Sequence, residues 1–225
     1  MTNHWVDFKN SDVFLIMGSN PASNHPVSRK WIQHAVENRG AKIICVDPRF
    51  TQSASKAHVY APLRSGTDIA FLGGMIKYII DNRLYFEEYI KHYTNASYLV
   101  NPAFKLPGEN RGVFSGLKNG KYEKDTWSYQ TDTEGVIKKD FTLRDPNCVF
   151  QLLRKHYSRY TPEIVSKITG TPKDKLIEIY KLYGSTGKPN RAGVELYAMG
   201  WTQHTVGVQN IRTMCIIQLL LGNIG

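Results

Sequence analysis

Cysteine is scarce and scattered: Cys45, Cys148 and Cys215 are the only three in 225 residues. None forms a CxxC, so the spacing writes neither a zinc site nor an iron–sulfur site. Their apolar settings predict three buried thiols. Long apolar runs are missing too. The longest, Met214 to Leu221, falls well short of the roughly 20 residues that cross a bilayer. Met1 to Asn10 is polar and lacks the apolar core of a secretory signal. There is no G-x-G-x-x-G, which argues against an NAD module, and no G-x-x-x-x-G-K-[ST], which leaves P-loop hydrolysis unsupported. Paired carboxylates, a Ser–His–Asp order and a Cys–His nucleophile are likewise missing. Acidic residues are the minority, 19 Asp+Glu against 29 Lys+Arg, for a net charge of +10. That balance admits nucleic acid, an anionic membrane surface or phosphate-bearing ligands. Since no five like charges run together, a nucleic-acid arm is disfavoured.

What is present is an alternation of strands and helices. Thr2 to Asn10 reads as a short helix capped by Thr2 or Asn3. Asp12 to Met17 is a continuous apolar run, as expected of a strand buried on both faces. Gly18 to His25 is a loop. A helix follows from Pro26 to about Asn38, with Trp31, Ile32, Ala35 and Val36 on one face, and Gly40 stops it. Lys42 to Val46 is a second strand and His58 to Pro62 a third. A helix then starts near Thr67 and runs through Ile79. Asn95 to Pro146 breaks the alternation with glycine turns and strand-like pieces at Trp127 to Gln130 and Val136 to Ile137, so it reads as an insert. Helices return at Cys148 to Tyr157, Pro162 to Ile168 and Lys173 to Tyr183. Thr161-Pro162 and Thr171-Pro172 read as capped starts. Gly193 to Met199 is a further strand and Thr205 to Leu221 a long helix closed by Gly222. This pattern predicts an α/β fold. Its core is a doubly wound, mainly parallel, Rossmann-like sheet with helices on both faces and an irregular insert.

In such a sheet the ligand crevice lies beyond the carboxyl ends of the strands. Four polar segments fall there. Gly18-Ser19-Asn20-Pro21 could bring backbone N–H groups to a phosphate, or be an ordinary turn. Asp47-Pro48-Arg49 offers a carboxylate for a ribose or base edge and a guanidinium for a phosphate, although Asp47 could simply cap its turn. Arg64-Ser65-Gly66-Thr67-Asp68 suits an anion or base edge, or is a plain capped helix. Gly200-Trp201-Thr202-Gln203-His204 has a glycine that lets backbone approach a ligand. His204, a lone histidine, is not assigned a catalytic role. Together the four ends suggest a nucleotide-like ligand.

Taken with YTNAS, SRYTPE and ITGTPKD, the segments MTNHWVDFKNSDVFLIMGSNPASNHP, VDPRFT, LRSGTDIAFL and YAMGWTQHTVGVQNIRTMCIIQLLLGNIG are specific. They resemble formate dehydrogenase alpha subunits of the molybdopterin oxidoreductase (dimethyl sulfoxide reductase-like) family, over nearly the whole chain. The likeness is greatest to the large respiratory or periplasmic type, which carries an insert like Asn95 to Pro146. The resemblance implies one domain spanning residues 1–225, insert included. It would bind one guanine dinucleotide arm of a bis-molybdopterin guanine dinucleotide with molybdenum or tungsten. Gly18, Ser19, Asn20 and His25 would lie near its phosphates. Asp47, Arg49, Ser65, Thr67 and Asp68 would surround its guanosine end. Gly200, Trp201, Thr202 and Gln203 would approach the pterin, and Gly222 and Asn223 would border the channel.

The family reaction is oxidation of formate to carbon dioxide, with two electrons leaving through iron–sulfur clusters. The resemblance therefore implies formate as substrate. It also implies the rest of the subunit with its 4Fe-4S cluster, an iron–sulfur beta subunit, a membrane cytochrome subunit, and a periplasmic or membrane-associated complex. Nucleic acid is not expected as a partner. The family's metal-ligating Cys or selenocysteine followed by His, and its four-cysteine motif, do not occur in these residues. The chain therefore reads as a fragment without a catalytic or metal residue, expected to be inactive alone. A selenocysteine codon read as a stop, with a restart at Met1, would yield such a piece. Two alternatives are a nitrate, thiosulfate or arsenate reductase on the same scaffold, and a non-catalytic basic nucleotide- or nucleic-acid-binding module.

Overall fold

A computed structural model of the chain describes residues 3–224. They form two compact units: one runs to Glu87 and resumes at Tyr157, and the other is Glu88–His156.

The first unit is built on a four-stranded parallel sheet. Its elements are β1 (Val13–Met17), α1 (Pro21–Asn24), α2 (Arg29–Arg39), β2 (Lys42–Val46), β3 (Val59–Ala61) and α3 (Asp68–Asp81). The second unit, which α4 (Glu87–Tyr93) opens, contains β4 (Leu117–Lys118) and β5 (Lys121–Tyr122) and ends with α5 (Val149–Tyr157). The first unit resumes with α6 (Pro162–Thr169), α7 (Lys173–Gly184), β6 (Gly193–Leu196), α8 (Met199–Thr202) and α9 (Gly207–Leu221).

Strand order is β3-β2-β1-β6, all pairs parallel. Every residue of β1 is buried, which is why the sequence shows a continuous apolar run there rather than an alternation. Side chains of a strand alternate between faces. Phe14 and Ile16 join Ile43 and Cys45 in a core with Ile32 and Ala35 of α2 and Phe8 of the amino-terminal segment. The other set, Val13, Leu15 and Met17 with Ile44 and Val46, is buried on the opposite face, where α7 packs on β1 and β3. Each such large side chain contributes about 1.5–3 kcal/mol by leaving water. The doubly wound, parallel α/β expectation therefore holds.

Several local expectations change. The first helix is a single 3-10 segment, Trp5–Asn10, and its cap is His4, whose Nδ1 accepts from Val6 N–H at 3.2 Å. Of the two expected caps, Asn3 does not fill that place and Thr2 lies outside the described residues. The loop after β1 contains the short α1, and Pro26–Ser28 is a 3-10 turn leading into α2. Thr161 does cap α6. Thr171 does not cap α7, because its hydroxyl donates to the Pro62 carbonyl at 2.6 Å and Pro172 takes the cap position. Strand β6 ends at Leu196, since α8 begins at Met199. Cys45 and Cys148 are buried, but Cys215 is exposed. Burial pushes the Cys45 thiol up to about 12, with Asp47 adding to the effect.

The second unit has little regular structure. Leu117–Lys118 and Lys121–Tyr122 make a small antiparallel hairpin. The expected strand-like pieces appear only as isolated bridges, Val100 with Tyr129 and Thr131 with Ile137. One carboxylate organises a turn here. Asp140 accepts from the N–H groups of Thr142, Arg144 and Asp145 and from the Thr142 hydroxyl. Burial alone would raise its pKa, but these hydrogen bonds outweigh it and hold the carboxyl at about 2.

Candidate functional site

Strand β1 pairs with β2 on one side and with β6 on the other. That change of direction is where an open parallel sheet leaves a crevice at its carboxyl edge. The register runs from Val13 opposite Gly193 to Ile16 opposite Leu196, so the two strands end side by side. Beyond those ends lies a cleft of about 390 Å³, lined by Gly18, Ser19, Asn20, Asn24, Val46, Asp47, Pro48, Arg49, Leu63, Ser65, Asp68, Ala198, Met199, Gly200 and His204.

The two loops that frame it touch backbone to backbone. Gly18 adopts φ +66° and its carbonyl accepts from Ala198 N–H at 3.2 Å and Gly200 N–H at 3.0 Å. A Cβ on Gly200 would sit 2.7 Å from the Gly18 Cα and carbonyl oxygen. A Cβ on Gly18 would sit 2.7 Å from the Trp201 ring. Both glycines are therefore demanded by this contact within the protein, not by the approach of a ligand. The Ser19 hydroxyl donates to the Leu196 carbonyl at 2.9 Å and ties the same two strand ends together.

Asn20 locks the loop after β1 to the one after β2. Its Oδ1 accepts from Ser53 N–H and from the Ser53 hydroxyl, and its amide donates to Ser23. Asp47, 9% exposed, accepts from Arg49 N–H at 2.8 Å and so does cap its own turn while still facing the cleft. The Arg49 guanidinium makes no ion pair among the described residues and is exposed. The backbone N–H groups of Ser19, Asn20, Ser65 and Gly66 donate to no other group among the described residues.

The floor of the cleft is a buried polar cluster. Trp201 is fully buried, stacks on Tyr197 with ring centroids 5.5 Å apart, and donates its indole N–H to Asp68 Oδ1 at 3.0 Å. The other carboxylate oxygen of Asp68 lies 3.5 Å from His204 Nδ1. Burial raises the pKa of Asp68, while the His204 charge and the Trp201 hydrogen bond pull it back only in part.

Of the residues singled out in the sequence, the fold brings Gly18, Ser19, Asn20, Asp47, Arg49, Ser65, Asp68 and Gly200 to this cleft. It does not bring the others into the lining. His25 stacks on Trp5 at 5.2 Å and bonds Asn24. Thr67 donates its hydroxyl to the Arg64 carbonyl. Trp201 lies beneath the surface, and Thr202 and Gln203 are exposed on the turn after it. Gly222 ends α9 in a left-handed conformation. Asn223 is occupied at the opposite end of β6, where it accepts from Gly193 N–H at 3.0 Å and donates to Thr186 and Gln218. Asn24, Leu63, Ala198 and Met199 line the cleft without having been singled out, and so does His204, which the sequence left without a role. The proximity of His204 to Asp68 is the sign that could have found it, and it exists only in three dimensions. Among the described residues no three of His, Cys, Asp and Glu converge as a metal site would need.

Comparison with known proteins bears on this geometry. The Molybdopterin oxidoreductase family matches residues 1–225. The chain is 55% identical over 227 residues to the formate dehydrogenase subunit alpha of Megalodesulfovibrio gigas, covering 100% of this chain and 22% of that protein. It is 53% identical, with the same coverage, to the nitrate-inducible formate dehydrogenase major subunit of Escherichia coli (strain K12). The chain thus spans about a fifth of the length of these curated relatives. Acetylene hydratase from Pelobacter acetylenicus superimposes with a TM-score of 0.65 at 22% identity, over 96% of this chain and 22% of the hydratase, which shows a shared fold. With the crevice at the β1/β6 switch point and a family match over its full length, the chain belongs to the molybdopterin oxidoreductase family.

Proposed function

We propose that this chain is the part of a formate dehydrogenase catalytic subunit that holds one guanine dinucleotide arm of a bis-molybdopterin guanine dinucleotide. The observation that carries the reading is the donor set of the cleft: the N–H groups of Ser19, Asn20 and Ser65, which donate to nothing among the described residues, and the Arg49 guanidinium, which makes no ion pair among them. Such a set fits a phosphate-bearing group, because oriented amides and a guanidinium both neutralise and orient anionic oxygens. The buried Asp47 carboxylate supplies the one acceptor that a ribose or base edge needs. Gly18, Gly200, Ser19 and Asn20 keep the two loops at fixed separation, so the donors are positioned before a ligand arrives.

When bound, the metal–pterin centre, with molybdenum or tungsten, supplies the two-electron chemistry that takes formate to carbon dioxide. The residues of this chain bind and orient its nucleotide end. The 4Fe-4S cluster, the iron–sulfur beta subunit, the membrane cytochrome subunit and the periplasmic or membrane-associated setting belong to the same reading and rest on the likeness to formate dehydrogenases. Cell fractionation of the parent subunit tests the last of these.

The binding test needs no turnover. GDP and ADP are titrated into the purified chain by calorimetry at two salt concentrations. GDP is expected to bind more tightly, and Arg49→Ala to weaken it about tenfold, the worth of roughly 1.4 kcal/mol of charge-assisted contact. Equal binding of both nucleotides, or no effect of Arg49→Ala, sinks the proposal. The chain alone is expected to leave a redox dye unreduced by formate.

A further inference from the structure

His204 lies in the turn between α8 and α9, and that turn is closed backbone to backbone. Its carbonyl accepts from Gly207 N–H at 2.9 Å. A Cβ on Gly207 would sit 2.7 Å from the Thr202 carbonyl oxygen and 2.8 Å from that of Trp201. The ring is thus carried into the cleft on a fixed support.

The two nitrogens of the ring meet different surroundings. Nδ1 is shut off from solvent and has no hydrogen-bond partner. It faces Asp68 Oδ2 at 3.5 Å, beyond the roughly 2.7–3.2 Å of an N–H···O bond. Asp68 is held in place from the other side, since its Oδ1 accepts the Trp201 indole N–H at 3.0 Å. Nε2 is not among the enclosed atoms, and the side chain, 25% exposed, lines the cleft. The Nε2 edge is therefore the one that opens on the ligand space. A histidine with a purely structural task has its buried polar atoms satisfied. This one leans on a carboxylate without closing the bond, as binding groups do before a ligand draws them in.

The charge of the lining points the same way. Besides His204, the charged side chains that line the cleft are Asp47, Arg49 and Asp68. Two carboxylates against one guanidinium make a net negative wall, which repels a phosphate-bearing ligand. An imidazolium at His204 brings the lining to two charges of each sign. We propose that His204 is a second anion-binding residue of this cleft, its Nε2–H donating to a phosphate oxygen while Asp68 accepts the Nδ1–H and sets the direction of the ring. This rests on the phosphate-binding reading above and extends it. Asp68 is then a positioning residue, which accounts for a buried carboxylate beside an anion site: it acts through the ring and not on the ligand.

Inorganic pyrophosphate, which brings phosphate oxygens without base or sugar, is the probe. It is titrated by calorimetry into the 225-residue chain and its variants, each checked for folding by circular dichroism. His204→Ala is expected to weaken binding about tenfold. Glutamine places an amide near the position of Nε2 and asparagine near that of Nδ1. His204→Gln is therefore expected to regain most of the affinity, and His204→Asn, which reaches Asp68 but not the cleft, to stay weak. Unchanged affinity in His204→Ala, or recovery by asparagine and not by glutamine, overturns the proposal. Should the variants fail to fold, the imidazole nitrogen resonances of the wild type decide. Pyrophosphate is expected to shift Nε2 of His204, and an unmoved Nε2 overturns the proposal. If neither GDP nor pyrophosphate binds the wild type, the phosphate reading fails and this one with it. If both bind and only Arg49→Ala weakens them, the role of His204 alone falls.

Discussion

Replacing Gly200 by alanine tests whether the cleft is framed by a backbone contact. The new Cβ would lie 2.7 Å from both the Cα and the carbonyl oxygen of Gly18, and 2.9 Å from its carbonyl carbon. These are backbone atoms, so no rotamer change relieves the overlap, and the loops must separate. Overpacking of this kind costs about 1–3 kcal/mol. Separation also stretches the hydrogen bonds that Gly18 accepts from Ala198 and Gly200, at about 1 kcal/mol each. The sum, about 3–5 kcal/mol, corresponds to a fall in Tm of roughly 6–20 °C for a chain of this size. Thermal unfolding followed by circular dichroism reads it. Gly108→Ala is the control, since a Cβ there meets nothing within 4 Å, and its Tm should stay near that of the parent sequence. If Gly200→Ala unfolds within about 2 °C of the control, the loops are not held by this contact. The account of the cleft as a rigid frame then fails.

Three further outcomes are expected. Trp201→Phe keeps an aromatic ring but shrinks a fully buried side chain and removes the donor to Asp68, so it should cost at least about 1.5–3 kcal/mol. It should also raise the Asp68 pKa further, read from its carboxyl carbon shift in a pH titration. Asp140 is held at about 2 from an ordinary 3.8. Its stabilisation of the second unit is therefore present above pH 3.8 and is lost as pH falls toward 2. Asp140→Ala should destabilise that unit by about 1–3 kcal/mol near neutral pH and by little in strong acid, measured by urea unfolding at both. Glu195 has the opposite sign, its folded pKa lying above the ordinary 4.5. Glu195→Gln should therefore be near neutral below pH 4.5 in the 225-residue chain. Its advantage should grow by up to about 1.4 kcal/mol per pH unit above that. A pH-independent difference would contradict the buried, unpaired carboxylate.

How much of this could be read in the sequence follows from the range of the forces involved. The strands were legible because β1 and β2 are buried on both faces, and such burial leaves unbroken apolar runs. Their carboxyl ends were legible as a site because polar and glycine residues interrupt those runs at Gly18, Asp47 and Gly200. Caps were less legible. Thr171 has the composition of a cap, but a carbonyl 109 residues away captured its hydroxyl. Trp201 and Asn223 stood in suggestive segments, yet the indole N–H of one turned inward to Asp68 and the amide of the other to Gly193. Cys215 looked buried because apolar residues flank it in Met214, Ile216 and Ile217, and a sequence does not say which side of a helix is covered. The isolation of Glu195 left no trace at all, since an unpaired carboxylate is defined by what its neighbours in space lack.

The bond from the Ser19 hydroxyl to the Leu196 carbonyl joins residues 177 positions apart, and this has a consequence in time. A ribosome adding about 5–20 residues per second needs roughly 10–35 s to travel that distance. Once β2 has been made, β1 has that partner but not β6, and the amides of Ser19 and Asn20 have no opposite wall. The whole second unit is made in that interval. The cleft at the carboxyl edge of the sheet is therefore among the last features of the chain to come into being, and any ligand that relies on it must arrive after synthesis has passed β6.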